Sequence, residues 1–151
     1  MIAVIQRVDR ASVSVENNCV GSCKMGLLIL LGVSVNDTEE DAKVLSRKIA
    51  NLRIFTDEND KLNLSIKDVG GEALVVSNFT LLANYKKGNR PDYMSSARPE
   101  TANMLYENFV ELLSAEVSKV EKGAFGEHMI IEMAANGPIT LVLDSKVLLN
   151  K

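Results

Sequence analysis

Apolar and polar residues alternate with a period of two through "MIAVIQRV" and again through "ASVSV", the signature of strands with one buried face. Asn17 and Asn18 supply a turn signal, and the continuous apolar run "GLLILLGV" suits a strand buried on both faces. The spacing then becomes helical. Ala42, Leu45, Ile49 and Leu52 recur every three or four residues, Asp37 or Thr38 can cap the start, and Glu39 and Glu40 favour the first turn. The turn-rich "RIFTDENDKLN" ends that helix, and "EALVVSNFTLLA" reads as a buried strand running into polar residues. A second helix is predicted near Pro99, with Ala102, Leu105, Phe109 and Leu112 on one face. "SKVEKG", "GEHMIIEMA" and "PITLVLDS" return to strands, with His128 as a strand residue. This order predicts an α/β chain of the α+β kind, without simple alternation of strand and helix.

At 151 residues the chain fits one domain, taken as residues 1–151, with a single substantial core. Its longest apolar run, Met25 to Val33, falls far short of the ~20 residues that span a bilayer. The first ten residues carry charges where a signal peptide has its apolar stretch, so a cytoplasmic protein is expected. The two cysteines, Cys19 and Cys23, have no second pair, and the single histidine lies far along the chain. A structural zinc needs about four ligands, so no metal is expected. The net charge of −3 argues against coating nucleic acid through the overall field, which leaves only local RNA contacts. The densest basic stretch, "NYKKGNRPDY", gathers Lys86, Lys87 and Arg90 between Tyr85 and Tyr93; a solvated loop has the same composition.

No glycine-rich phosphate loop, GxSxG elbow or HExxH occurs, and one histidine leaves a hydrolase triad almost nothing to work with. Two stretches remain. "SNFT", Ser77 to Thr80, places two hydroxyls and an amide at the end of an apolar strand, where polar groups are expensive to bury unpaired. It reads equally as a strand entering a loop. "NGP", residues 136–138, reads first as a tight turn, since only ~5–6% of X-Pro bonds in folded proteins are cis.

The segments "AVIQRV", "NLRIF", "DVGGEALVVSNFTL", "KKGNRP", "FGEHM" and "NGPITLVLDS" occur in an order and spacing that resemble the D-aminoacyl-tRNA deacylase family across essentially the whole chain. The resemblance implies a single-domain homodimer with a mixed, mostly antiparallel, barrel-like sheet and two main helices. It implies hydrolysis of the ester joining a D-amino acid, or glycine on the wrong tRNA, to the terminal adenosine of tRNA. It implies neither metal nor organic cofactor, and no membrane. The family signature Ser-Gln-Phe-Thr lands on Ser77 to Thr80 with Asn78 at the glutamine position. The signature Asn-x-Gly-Pro lands on residues 135–138 with Ala135 at the asparagine position. Ser77, Phe79, Thr80, Gly137, Pro138 and Thr140 match.

By the same resemblance, Thr80, Ser77 and Asn78 are the candidate catalytic residues. Phe79, Gly137, Pro138 and Arg7 are the candidate substrate-binding residues. The Gly-Pro pair is expected to reach the partner subunit's Ser77–Thr80 site, with Arg7 bracing it. Backbone N–H groups aimed at the developing oxyanion would do much of the chemistry, a loss of ~3–4 kcal/mol being typical when one such donor is removed. A hydroxyl of the RNA itself is a second candidate participant. A cis Gly137-Pro138 bond is predicted, holding two carbonyls where an L side chain would collide with them and a D side chain would not. Two rival readings stand beside this one: a tRNA-end-binding module with weakened catalysis, prompted by Asn78 and Ala135, and a dimeric interaction protein without an RNA role.

Overall fold

The computed structural model describes residues 1–150. The two alternating stretches at the start form one strand, β1 (Ile2–Val15), rather than two. Its buried positions run Ala3, Ile5 and then Val8, Ala11, Val13, so the alternation slips by one at Arg7 and again before Ala11. Register shifts against the last strand fall at the same places. An extra residue in one strand re-phases its faces, so Asp9 and Arg10 point outward without ending the strand. Glu16 and Asn17 both take positive φ, 48° and 65°, and form the tight turn; Asn18 already pairs with Val15 in β2 (Asn18–Cys23).

Strand β3 (Gly26–Gly32) is buried at every position but Leu30, as its uninterrupted apolar character requires. It pairs antiparallel with β1 and parallel with β6 (Glu72–Ser77), which in turn pairs parallel with β7 (Lys119–Lys122). The first parallel crossover carries helix α1 (Glu39–Asn51) and the small hairpin of β4 (Phe55–Thr56) and β5 (Leu62–Leu64), which occupies the stretch expected to be all turn. The second carries α2 (Pro99–Ser114). Thr38 is the N-cap of α1, and Asp41 accepts its N–H at 2.9 Å. In α2 the fully buried face is Leu105, Tyr106, Phe109 and Leu113; Ala102 and Leu112 are only partly buried, because the helix is rotated slightly from the expected face.

The last strand, β8 (Ile130–Asp144), runs antiparallel to β1 over nearly its whole length and is followed by the short helix α3 (Ser145–Leu148). His128 lies in the exposed loop before β8 and not in a strand, since Gly126 turns the chain with φ +79° just upstream. The sheet order is β2-β1-β3-β6-β7, with β8 on the other side of β1. Near closure comes from β2 meeting β7: the Ser22 N–H donates to Glu121 Oε2 at 2.5 Å. A Cβ on Gly21 would stand only 2.5 Å from the Lys122 carbonyl, so the approach needs glycine. The result is a mixed α+β fold with a nearly closed, barrel-like sheet and three helices. One apolar cluster fills the space between sheet and helices, and a second, around Val8, Leu28, Leu74 and Val76, lies on the opposite face.

Candidate active site

Ser77 ends β6 opposite Leu31, and the chain turns at once because the Asn78 N–H donates to the Leu31 carbonyl at 2.8 Å. Phe79 to Leu82 then form a single 3-10 turn with Asn78 as its N-cap. The Asn78 side-chain oxygen accepts the Thr80 N–H at 3.2 Å and also the Thr80 hydroxyl. Gly32 makes the turn possible, since a Cβ there would meet the Asn78 carbonyl at 3.1 Å and Leu81 Cβ at 3.2 Å. No described residue accepts the Phe79 N–H, as expected for a first-turn amide.

Beside this turn opens a cleft of about 570 Å³. Ser77, Asn78 and Phe79 form one wall, and Tyr93, Ala102, Phe125 and Met129 contribute much of the rest. The Phe79 ring is 55% exposed and packs edge-on against Tyr93 with ring centres 5.0 Å apart. Ser96 donates to the Phe79 carbonyl at 3.3 Å and so ties the far wall to the turn. Thr80 is exposed and does not line the cleft. Nothing in the sequence alone assigns a role to Tyr93, Ser96, Phe125 or Met129. "FGEHM" carries no local signal that it faces "SNFT".

The second constellation is at the other end of the sheet. The Gly137-Pro138 bond is cis, and the pair lies inside β8, where pairing with β1 is interrupted between Ala135 and Thr140, instead of in a terminal turn. Gly137 has φ +125°, and a Cβ on it would meet the Ile139 N at 2.9 Å. Arg7 donates through Nε to the Asn136 carbonyl at 3.2 Å and through one terminal nitrogen to Asn136 Oδ1 at 3.0 Å. Its other terminal nitrogen reaches the Ile54 carbonyl at 3.1 Å. Asn136 itself donates to Asp9 at 2.7 Å. Within one chain the two constellations do not meet: Ser77 is level with Leu31 and Ala3, whereas the Gly-Pro pair is level with Arg7, two strands beyond β3.

The profile of the D-Tyr-tRNA(Tyr) deacylase family matches residues 4–144. The chain belongs to that family. Relatives named D-aminoacyl-tRNA deacylase are 56% identical in Caldicellulosiruptor saccharolyticus and 53% identical in Thermosipho africanus, each over 97% of this chain and 98% of the relative. The one in Clostridioides difficile is 50% identical over 96% of this chain and 97% of its own length. A solved structure titled c-Myc DNA Unwinding Element Binding Protein is 38% identical, covers 95% of this chain and 98% of its own, and superposes with a TM-score of 0.90. A probable eukaryotic D-amino acid tRNA deacylase shares the fold, with a TM-score of 0.81 at 16% identity over 95% of this chain and 98% of its own.

Proposed function

We propose that this chain hydrolyses the ester of D-aminoacyl-tRNA, and of glycine mischarged on tRNA, and spares L-aminoacyl esters. Water adds to the carbonyl carbon, the bond to the ribose oxygen breaks, and the products are the free amino acid and tRNA with its terminal hydroxyl restored. The observation that carries the reading is the Phe79–Thr80 turn beside an apolar cleft: Phe79 lines the cleft with a free backbone N–H, and the exposed Thr80 donates its hydroxyl to Asn78, which also lines it. An adenine base fits walls made of Phe79, Tyr93, Phe125 and Met129, because aromatic and thioether surfaces stack on any base face. With the base seated there, the ester falls beside Ser77, Asn78 and Thr80. The Phe79 N–H then faces the developing oxyanion, while Thr80 positions the carbonyl or the water.

The site is proposed to be complete only in a homodimer, with Gly137 and Pro138 of one subunit entering the partner's cleft and Arg7 holding the pair in place. A surface of the right kind is present. Val142, Val4, Leu30 and Val76 are cross-strand neighbours, and exposure falls from 72% at Val142 to 3% at Val76, so an open apolar row leads to the site strand. Strand β8 also leaves one edge unpaired. Selectivity would come from an L side chain meeting the inserted backbone. No residue role here calls for a metal or cofactor, and the proposed place of action is the cytoplasm, where the substrate is made and used.

Incubation of the purified protein with D-tyrosyl-tRNA and L-tyrosyl-tRNA tests this. Loss of the D-ester alone, unchanged by a chelator, is expected; equal loss of both esters, or of neither, defeats it. A second reading, a tRNA-end-binding module with weakened catalysis, is favoured by one observation: Asn78 engages the Thr80 hydroxyl. Tight binding of D-tyrosyl-tRNA with the ester intact would select it.

A further inference from the structure

The other large open cleft of the molecule, about 690 Å³, lies where the end of α1 meets Arg53 and α3. It is lined by Arg47, Lys48 and Arg53 with Val44, Leu52 and Leu148, and by no carboxylate. Lys48 in the last helical turn has an ordinary reason to be there, since a cation complements the helix dipole. That reason does not account for three cations converging in a chain of net charge −3. Among the described residues neither Arg47 nor Lys48 forms a salt bridge, whereas five other lysines do. Arg53 donates to a neutral partner, to the Asn63 carbonyl at 2.9 Å and to Asn63 Oδ1, and forms no salt bridge among the described residues, although its charge helps hold the Asp68 carboxyl below the usual range.

The position of this cleft matters as much as its charge. The Arg7 guanidinium that holds Asn136 also holds the Ile54 carbonyl, so Arg53 and Gly137 each stand one residue away from a group bound by the same side chain. The Arg53 end of the basic cleft therefore lies at the Gly-Pro end of the subunit, and from there the cleft runs back along α1 as far as Val44 and Leu148. In the proposed dimer the Gly-Pro end abuts the partner's cleft, which leaves Arg47, Lys48 and Arg53 flanking the path along which the RNA leaves that cleft.

We propose that this cleft grips backbone phosphates of the tRNA acceptor stem. The inference rests on the deacylase reading and on the dimer it requires. Contacts of this kind add affinity without sequence preference, and they weaken as salt rises because each displaces a condensed counterion. They also suit a protein whose net charge gives no help in collecting RNA.

The test uses the double variant Arg47→Gln/Lys48→Gln with two substrates: full-length D-tyrosyl-tRNA, and D-tyrosyl-adenosine, which has the ester and the base but no stem. On the tRNA, KM is expected to rise roughly tenfold near physiological salt with kcat unchanged. The slope of log KM against log salt is expected to fall by about 2, because two phosphates are no longer neutralised by the protein. On D-tyrosyl-adenosine the variant should match the original protein, and Arg47→Lys/Lys48→Arg should restore KM for tRNA. An unchanged KM and salt slope on tRNA overturns the proposal, as does an equal loss on both substrates. Failure of the unmodified protein to cleave either substrate instead refutes the deacylase reading itself, so the two failures are distinguishable.

Discussion

Asn78 uses its single side-chain oxygen twice, once for the Thr80 amide and once for the Thr80 hydroxyl. A hydroxyl that donates to Asn78 keeps its own lone pairs for water or for a substrate group. Thr80 is exposed, and Thr80→Ala should therefore lower kcat on D-tyrosyl-tRNA strongly while the melting temperature moves little. Normal turnover in that variant would make Thr80 a capping partner only. Asn78→Gln lengthens the stem by one methylene, and activity equal to or above the original is expected; a sharp loss would show that the turn depends on the shorter amide. The two cysteines separate in the same way. Burial pushes the Cys23 thiol up to about 11, whereas Cys19 is exposed. The thiolate is the reactive form, so a maleimide at pH 7 should modify one thiol per folded chain and two after denaturation, and peptide mapping should place the first at Cys19.

At the scale of elements, the long strand β1 shows how much the sequence disclosed. Its alternation, the apolar run of β3, a cap at Asp37 or Thr38 and the Pro99 start were all readable, because each depends on near neighbours in the chain; the structure puts the cap at Thr38. The slip at Arg7 was not, since a bulge is fixed by the partner strand, here β8 with its Gly-Pro interruption. Ser77 to Thr80 was legible as polar residues ending an apolar strand. The facing wall of Tyr93, Phe125 and Met129 was not, because only the crossover through α2 brings it opposite. The hydrogen bonds of Arg7 predict the consequence of removing that side chain. Arg7→Ala deletes the donors to the Asn136 and Ile54 carbonyls, and about 2 kcal/mol of stability should go with them. Deacylation should suffer more than stability, because Asn136 precedes the pair proposed to complete the partner's site. Urea melts beside kcat/KM measure both, and an activity loss no larger than the stability loss would count against the bracing role.

For the whole molecule, a buried polar knot ties the ends of the sheet to α1. The Met1 amine donates to Asp37 Oδ1 and to Ser145 Oγ, both at 2.7 Å, and Asp41 receives Ser145 at 2.7 Å and Lys146 at 2.8 Å. Burial by itself would raise the Asp41 carboxyl. The hydrogen bonds from Lys146, Ser145 and Thr38 outweigh it and hold the group well below the usual carboxylate range. A carboxyl depressed in the folded state contributes stability that is present above its unfolded value, about 4, and is lost as pH falls toward the folded value. The protein should thus lose stability steeply below about pH 4. Asp41→Asn should flatten that slope while costing about 3–5 kcal/mol at neutral pH, which denaturant melts across a pH series would show. The same knot lies where β1 and β8 run side by side, with Ile2 opposite Asp144. On the ribosome the first strand is made long before β8, so one full edge of β1 stays open until residues 130–144 have been made. Closure of the sheet therefore waits for β8, and a nascent protein stalled ahead of Ile130 would present that bare edge to chaperones or to its neighbours on the same message.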